Sequence, residues 1–342
     1  MINKIKLPGV IYEMTTICNL NCKYCYNYWK KDNKDLQEIE KINPLKTLKQ
    51  YMKSVSCNSV TFSGGEPTTN FDELLECIMY VKARNKQVTI ITNGTLLDDE
   101  KLDVLSKLKV DLLEITINSY DAKIHESING IKDSFRKSIT TIRNAKSKGI
   151  DVVVPVVVTK DNVKDIDKTL EYIYSLGVTR IMINRYNIGG NGCNNSENVL
   201  ADFKDLKDAY KKCQEFAKSK NIKLYSLVCT PHCVLNPDEY PNIMFSNCGI
   251  HNLKRRYTLT RDGNIRYCNH SPEVIGNIYK ENMKKILNSD KLKRWGNIEP
   301  EFCRECSKKE KCQYGCRAAS QQMGIGLEKE DPIIGIYNVT KM

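Results

Sequence analysis

From about residue 10 to residue 185 the chain alternates between short apolar, β-rich runs and longer stretches whose apolar residues recur three and four positions apart. The runs lie at residues 10–14, 59–62, 88–92, 112–117, 152–158 and 180–184, and the helical patterns near 44–55, 71–84, 98–108, 134–148 and 163–176. Strands separated by helices imply right-handed β-α-β units and a parallel sheet. Several runs are continuously apolar, as in strands covered by helices. Pro155 interrupts the fifth. A proline cannot donate to a ladder, so that strand is expected near an edge or at a bulge. An open, partial barrel therefore fits better than a closed one. Residues 188–196 read as loop and 203–219 as helix. After Cys229 the elements shorten and cysteines crowd. A hairpin turn is expected at 261–264, between runs at 257–260 and 265–267. Short elements around many cysteines point to a region held by metal.

Composition narrows the class. The 342 residues are 41% hydrophobic and 27% charged, which is ordinary globular usage. No run approaches the roughly 18 apolar residues of a membrane helix. The N-terminus has no apolar signal segment. A cytoplasmic protein without membrane contact is expected. Fifteen cysteines in such a compartment serve metal or chemistry rather than disulfides. The net charge of +12 comes from lysines scattered along the chain and reads first as a solvated surface.

Cys18, Cys22 and Cys25 follow the first strand as Cys-Asn-Leu-Asn-Cys-Lys-Tyr-Cys. Three thiolates can hold three corners of a four-iron cluster and leave the fourth iron open; the usual set is four cysteines. A zinc loop would need a fourth ligand, and neither cysteine nor histidine occurs in the next thirty residues. This spacing, with Tyr24 before the third cysteine, resembles the radical S-adenosylmethionine (SAM) enzymes. The resemblance implies a partial (β/α)6 TIM-like barrel, with SAM on the open iron of a [4Fe-4S] cluster held by those cysteines. It also implies reductive cleavage of SAM to a 5′-deoxyadenosyl radical. Ser63-Gly64-Gly65-Glu66-Pro67 resembles the family's Gly-Gly-Glu motif, which meets the SAM amino group. Its paired glycines are read as letting backbone approach a ligand. Asn93 ends the third strand, and Thr116 and Asn118 the fourth. By resemblance Thr116 helps hold SAM, while Asn118 and Ser119 depart from the family's acid and glycine. Ligands of parallel barrels gather at these strand ends.

The C-terminal third holds Cys248, Gly263-x₄-Cys268 and Cys303-x₂-Cys306-x₅-Cys312-x₃-Cys316. Such spacing means metal, with zinc as the alternative to iron–sulfur. The pattern resembles the SPASM extension, a small cysteine-rich domain carrying one or two auxiliary clusters. By that resemblance Cys303, Cys306 and Cys312 serve an outer cluster, and Cys248, Cys268 and Cys316 an inner one. The family's last cysteine is missing: Asp331-Pro332-Ile333-Ile334 has isoleucine in its place. The outer site is then expected to have an oxygen ligand (Asp331 or Glu330), an open iron or no cluster. The inner site needs a fourth donor, for which Cys229 or Cys233 is nearest. The expected domains are a barrel over 1–200, a bridging region over 201–245 and the SPASM domain over 246–342.

No catalytic side chain is assigned. Cys193, Cys229 and Cys233 are candidates, with Cys193 read either as a hydrogen-atom donor or as an incidental loop thiol. Arg185 and Tyr186 are placed at the substrate opening. His232, His251 and His270 flank cysteine motifs. Cys57, Cys77 and Cys213 read as packing residues. SPASM relatives typically mature peptides, so the resemblance implies a peptide substrate undergoing crosslinking, epimerisation or oxidation. It also implies a one-electron donor such as flavodoxin or ferredoxin. With the cluster loop starting at residue 18, a leader-binding domain is expected on a separate partner, if one is used. The competing readings are radical oxidation of a small molecule (a sugar or tetrapyrrole) and a zinc-stabilised nucleic-acid-binding protein. The latter leaves the strand-end motifs unexplained and shows no nucleic-acid-binding signature.

Overall fold

The computed structural model describes residues 4–30, 36–249 and 252–340. His251 lies outside them. The six expected strands form as β1 (Ile5–Thr15), β2 (Val55–Gly64), β3 (Gln87–Thr92), β4 (Leu112–Ile115), β5 (Val152–Val158) and β6 (Ile181–Arg185). They pair in parallel and in chain order. The helices Pro44–Ser54, Phe71–Lys82, Asp99–Lys107, Ser134–Ser147 and Ile166–Ser175 make the crossovers. Val10, Tyr12, Val60, Phe62, Ile90, Leu113, Val154 and Ile183 are fully buried beneath them. Cys57, Cys77 and Cys213 belong to this core, as their apolar settings require.

Pro155 departs from expectation. β5 is interior, between β4 and β6, with Pro155 opposite Met182. The strand tolerates it because the β4 register ends at Val153, beyond which the Pro155 carbonyl accepts the Ile117 N–H at 3.1 Å. One missing donor on that side costs a single bond of a ladder that is already opening.

Two short strands, β7 (Leu224–Ser226) and β8 (Ile243–Phe245), extend the sheet past β6. At the other edge β9 (Tyr257–Thr260) runs parallel to β1, and β10 (Asn264–Arg266) and β11 (Val274–Asn277) continue antiparallel. Among the described residues one 11-stranded sheet therefore joins the barrel to the cysteine-rich end, and it does not close into a full barrel. The hairpin is where its turn residues put it. The segment read as loop at 188–196 contains the helix Asn191–Val199, kinked at Asn195. The helix Ala122–Asn129 has no counterpart in the hydrophobic pattern. Asp121 caps it, and Gly130 ends it at φ 76°, a left-handed stop suited to glycine.

Candidate functional site

The cysteine loop after β1 is fixed on three sides. At its start the Glu40 carboxylate accepts from Thr16 N at 2.7 Å and from the Thr15 and Thr16 hydroxyls at 2.8 Å. Arg261, in the β9–β10 turn, holds Glu40 and makes a bidentate pair with Glu73 at 2.8 and 2.9 Å. On the second side Gly65 N donates to Thr15 O at 2.8 Å, and Glu66 N to Ile17 O at 2.7 Å. A Cβ on Gly65 would stand 2.1 Å from Ile17 O, and one on Gly64 (φ +132°) 2.2 Å from Thr15 O. The paired glycines thus let the β2 end press against the cysteine loop. On the third side Asn21 N and Lys23 N donate to Asn129 O and Ile128 O at 3.1 and 3.0 Å. The last carbonyls of a helix, free of intrahelical partners, are thereby used.

Between these elements lies an open cavity of about 130 Å³ at the C-terminal ends of the strands. Cys18, Cys22, Cys25, Tyr24, Gly64, Gly65, Glu66, Asn93 and Thr116 all line it, together with Lys30 and Asn129, which the sequence did not single out. An Asn-Gly helix stop at Asn129-Gly130 was the only available signal. Burial pushes all three thiols up, Cys22 most clearly, and the Lys30 ammonium opposes this. Leu20 N donates to Cys18 Sγ at 3.5 Å. Buried thiols of this kind lose their protons when a cationic centre arrives.

Glu66 is buried. Its Oε1 accepts from Thr68 N (3.1 Å), Thr68 Oγ1 (2.6 Å) and Thr92 Oγ1 (2.7 Å), and its Oε2 from Asn93 N (2.7 Å). Burial raises its pKa against these donors. The carboxylate thus ties β2 to β3, and Oε2 keeps acceptor capacity for one further donor. Asn118 stands behind the cavity rather than on it. Its Nδ2 lies 3.2 Å from both Tyr24 OH and Asn129 Oδ1, and its N–H donates to His125 Nδ1 at 3.2 Å. It braces two residues that do line the cavity.

The second cysteine field forms two groups. Cys303, Cys306 and Cys312 surround a small cavity of about 20 Å³ whose walls include Cys233, His232 and Ile334. His232 N donates to Cys312 Sγ at 3.3 Å. Burial, then the neighbouring thiols, push Cys233 and Cys303 up to about 12. In the other group Cys229 hydrogen-bonds Cys248, with Cys316 and Cys268 as its next interacting thiols. Sharing that proton with Cys229, and facing the Arg255 cation, Cys248 is lowered. Asn187 Nδ2 donates to Cys316 Sγ at 3.2 Å, and Ser271 N to Cys268 Sγ at 3.3 Å. Backbone and amide donors to sulfur of this kind tune iron–sulfur centres.

Asp331 is not brought to the Cys303 group. Its carboxylate pairs with Arg185 and accepts from Cys316 N at 2.8 Å and Ile333 N at 3.2 Å. Arg185 and Tyr186, each 1% exposed, do not form a substrate opening. A guanidinium paired with a buried carboxylate is drawn inward by its partner. Cys193 Sγ donates to Gln322 O at 3.6 Å and does not line the strand-end cavity. His270 is buried and reaches Ile188 O at 3.0 Å; burial lowers it to about 4.

Among the described residues no three His, Cys, Asp or Glu side chains converge as donors for one metal ion. A tetrahedral zinc site would bring its thiolates to within about 4 Å of one another. Cys18, Cys22 and Cys25 line one cavity, and Cys303, Cys306 and Cys312 another, as one thiolate per corner of a multi-iron core requires. None of the fifteen cysteines is in a disulfide. No helix of the described residues is long and apolar enough to cross a membrane.

Comparison with known proteins agrees with this chemistry. Residues 12–173 match the radical SAM superfamily, and 248–313 match SPASM, an iron–sulfur cluster-binding domain. The chain is 24% identical over 336 residues to the PqqA peptide cyclase of Gluconobacter oxydans, covering 96% of this chain and 90% of the relative. It is 26% identical to the antilisterial bacteriocin subtilosin biosynthesis protein AlbA of Bacillus subtilis, over 91% of this chain and 66% of that one. It is 25% identical to the AdoMet-dependent heme synthase of Methanosarcina barkeri, over 96% and 97%. The solved structure of native anSMEcpe with bound AdoMet superposes with a TM-score of 0.73 at 19% identity, covering 97% of this chain and 95% of that one, and shows the same fold. The three-cysteine loop against the Gly-Gly-Glu strand end, the open parallel barrel and the cysteine-rich end together have one account: a radical SAM domain followed by a SPASM iron–sulfur domain, the make-up of a radical SAM/SPASM enzyme.

Proposed function

We propose that this enzyme modifies a ribosomally made peptide or protein by radical chemistry, through crosslinking, epimerisation or oxidation. The observation that carries the reading is the convergence of Cys18, Cys22 and Cys25 with Glu66, Asn93 and Thr116 on one cavity at the strand ends. The names of two relatives, a peptide cyclase and a bacteriocin biosynthesis protein, support the peptide as substrate. In this reading the three thiolates hold a [4Fe-4S] cluster, and Gly64, Gly65, Glu66, Asn93, Thr116 and Tyr24 receive SAM. When bound and reduced, the cluster would pass one electron to SAM, whose S–C5′ bond would break to give methionine and a 5′-deoxyadenosyl radical able to take a hydrogen atom from substrate.

The chain's own share is positional. Glu66 Oε2 offers the acceptor for an ammonium group. Tyr24, braced by Asn118, closes the cavity beside Cys22. Lys30 supplies positive charge near the thiolates. Asn118 acts through Tyr24 and touches no ligand itself. The auxiliary thiols belong to a domain over 246–342, beyond a barrel over 1–200 and a bridging region over 201–245. The working setting is the cytoplasm, with a flavodoxin- or ferredoxin-type donor and a separate leader-binding protein as partners.

Anaerobic reconstitution with dithionite and SAM is expected to yield 5′-deoxyadenosine, and Cys22→Ala to abolish it. A Cys22→Ala variant with undiminished product overturns the cluster assignment. Coexpression with candidate precursor peptides, followed by mass spectrometry, tests the substrate class: loss of two hydrogens marks crosslinking or oxidation, and deuterium uptake at constant composition marks epimerisation. The heme synthase relative favours a second substrate class, a tetrapyrrole. Turnover of a porphyrin with no peptide modified would select it.

A further inference from the structure

Each auxiliary thiol group arrives one donor short, and one segment supplies a thiol to both. Cys229-Thr-Pro-His-Cys233 lies between β7 and β8. Its second half is a tight turn, with Val234 N and Leu235 N donating to Pro231 O at 2.9 and 3.1 Å. Its first half is gripped by buried Arg185, which donates to Cys229 O at 2.8 Å and to Thr230 Oγ1 at 3.2 Å. Cys233 faces the cavity ringed by Cys303, Cys306 and Cys312. Ile334, where the SPASM pattern puts its last cysteine, lines the same cavity. At the other end the Arg185 that holds Cys229 O also pairs with Asp331, whose carboxylate accepts from Cys316 N at 2.8 Å, and the Cys229 thiol hydrogen-bonds Cys248. A second contact ties the segment to the outer group, since His232 N donates to Cys312 Sγ.

We propose that Cys229-Thr-Pro-His-Cys233 is a two-headed ligand. Cys233 completes the outer four-thiolate site in place of the thiol missing at position 334, and Cys229 completes the inner site with Cys248, Cys268 and Cys316. This rests on the iron–sulfur reading above. It goes further in naming where each fourth donor originates. It also fixes the spacing of the two sites, because four backbone steps span at most about 14 Å between the two Cα atoms. Glu330 is the competing outer donor: its charge acts on Cys303, although it does not line the cavity.

The test uses the full chain carrying Cys18→Ala, Cys22→Ala and Cys25→Ala, so that only auxiliary iron remains. After anaerobic reconstitution this parent is expected to hold about eight irons, two four-iron clusters, by iron analysis and Mössbauer spectroscopy. Adding Cys233→Ala is expected to remove one to four irons and to give a three-iron EPR signal after oxidation. Adding Ile334→Cys to that variant is expected to restore the lost iron and the four-iron spectrum, an effect that a purely structural Cys233 would not produce. Cys229→Ala is expected to perturb the other cluster and not to be rescued by Ile334→Cys. Unchanged iron and spectra in Cys233→Ala overturn the proposal. So does loss of the outer cluster in Glu330→Gln, or failure of Ile334→Cys to restore iron in a variant whose circular dichroism is native. A parent that binds zinc, or no metal, overturns the iron–sulfur reading itself, and the two failures are thereby distinguished.

Discussion

Asp331→Asn tests how the last barrel strand and the C-terminal segment are held together. Asp331 and Arg185 are each 1% exposed, and they join the end of β6 to the start of the helix Pro332–Ile336. The same carboxylate takes the Cys316 and Ile333 N–H groups, and the same guanidinium reaches Cys229 O, Thr230 Oγ1 and Tyr186 O. Asparagine keeps the volume but removes the charge, and turns an N–H₂ donor either toward Arg185 and Cys316 N, which share Oδ2, or toward Ile333 N on Oδ1. A buried cation left without its partner costs about 3–5 kcal/mol, and a buried N–H without an acceptor about 1 kcal/mol more. Taking about 4 kcal/mol in all, and about 2 °C per kcal/mol for a chain of this size, the melting temperature should fall by about 8 °C. The assay is anaerobic thermal unfolding of the reconstituted protein, followed by near-UV circular dichroism, with iron per chain measured well below the transition. Iron should be unchanged there, because among the cluster cysteines Asp331 meets only the backbone N–H of Cys316 and offers no ligand atom to either thiol group. Replacing both partners, Arg185→Met with Asp331→Leu, should recover most of the loss, since a neutral pair leaves no orphan charge. A drop under about 2 °C would refute the reasoning about the pair. Loss of iron from a thermally unaltered protein would make Asp331 a ligand after all.

Gly65→Ala forces a Cβ to within 2.1 Å of the Ile17 carbonyl. It should cost at least about 2 kcal/mol of stability and displace the cysteine loop, read as loss of about four irons and of 5′-deoxyadenosine formation. Asn118→Ala removes the amide that braces Tyr24 and should slow 5′-deoxyadenosine formation about 10-fold at unchanged iron content; an unaltered rate would show that the brace is idle. Burial lifts Glu114 to about 7 in the folded protein. Its stabilising proton is fully present below the ordinary value near 4.5 and is lost as pH rises through 7. Glu114→Gln should therefore gain up to about 3 kcal/mol at pH 8 and nothing at pH 4, as urea titrations at the two pH values would read. Burial lowers His125 to about 4. The opposite sign follows: native stability should fall as pH drops from about 6.5 to 4, less so in His125→Asn.

The sequence by itself determined whatever depends on neighbours along the chain. The strand and helix periods of residues 10–185 became β1–β6 and their crossovers, because alternation and 3.6-residue repeats report which face of one element meets apolar surroundings. The turn at 261–264 was legible from its Asp-Gly, and the thiol groups from their x₂ and x₃ spacings, since one loop carries those donors. What it could not determine was what depends on partners far apart in the chain. Pro155 suggested an edge because its missing donor was visible and the shortened β4 ladder was not. The glycines of 64–65 do line the cavity, but that they also press on the backbone oxygens of Thr15 and Ile17 was not visible in the motif. Arg185, Arg261 and Asn129 look ordinary until the sheet order sets them against Asp331, Glu73 and the cysteine loop. Cys233, read from the sequence as a spare thiol for the inner group, lines the cavity of Cys303, Cys306 and Cys312, some seventy residues further along the chain. Only tertiary structure decides such meetings, because the free energy that selects them comes from burying a charge with its counter-charge, or a thiol beside thiols, across a sheet whose order no local pattern encodes.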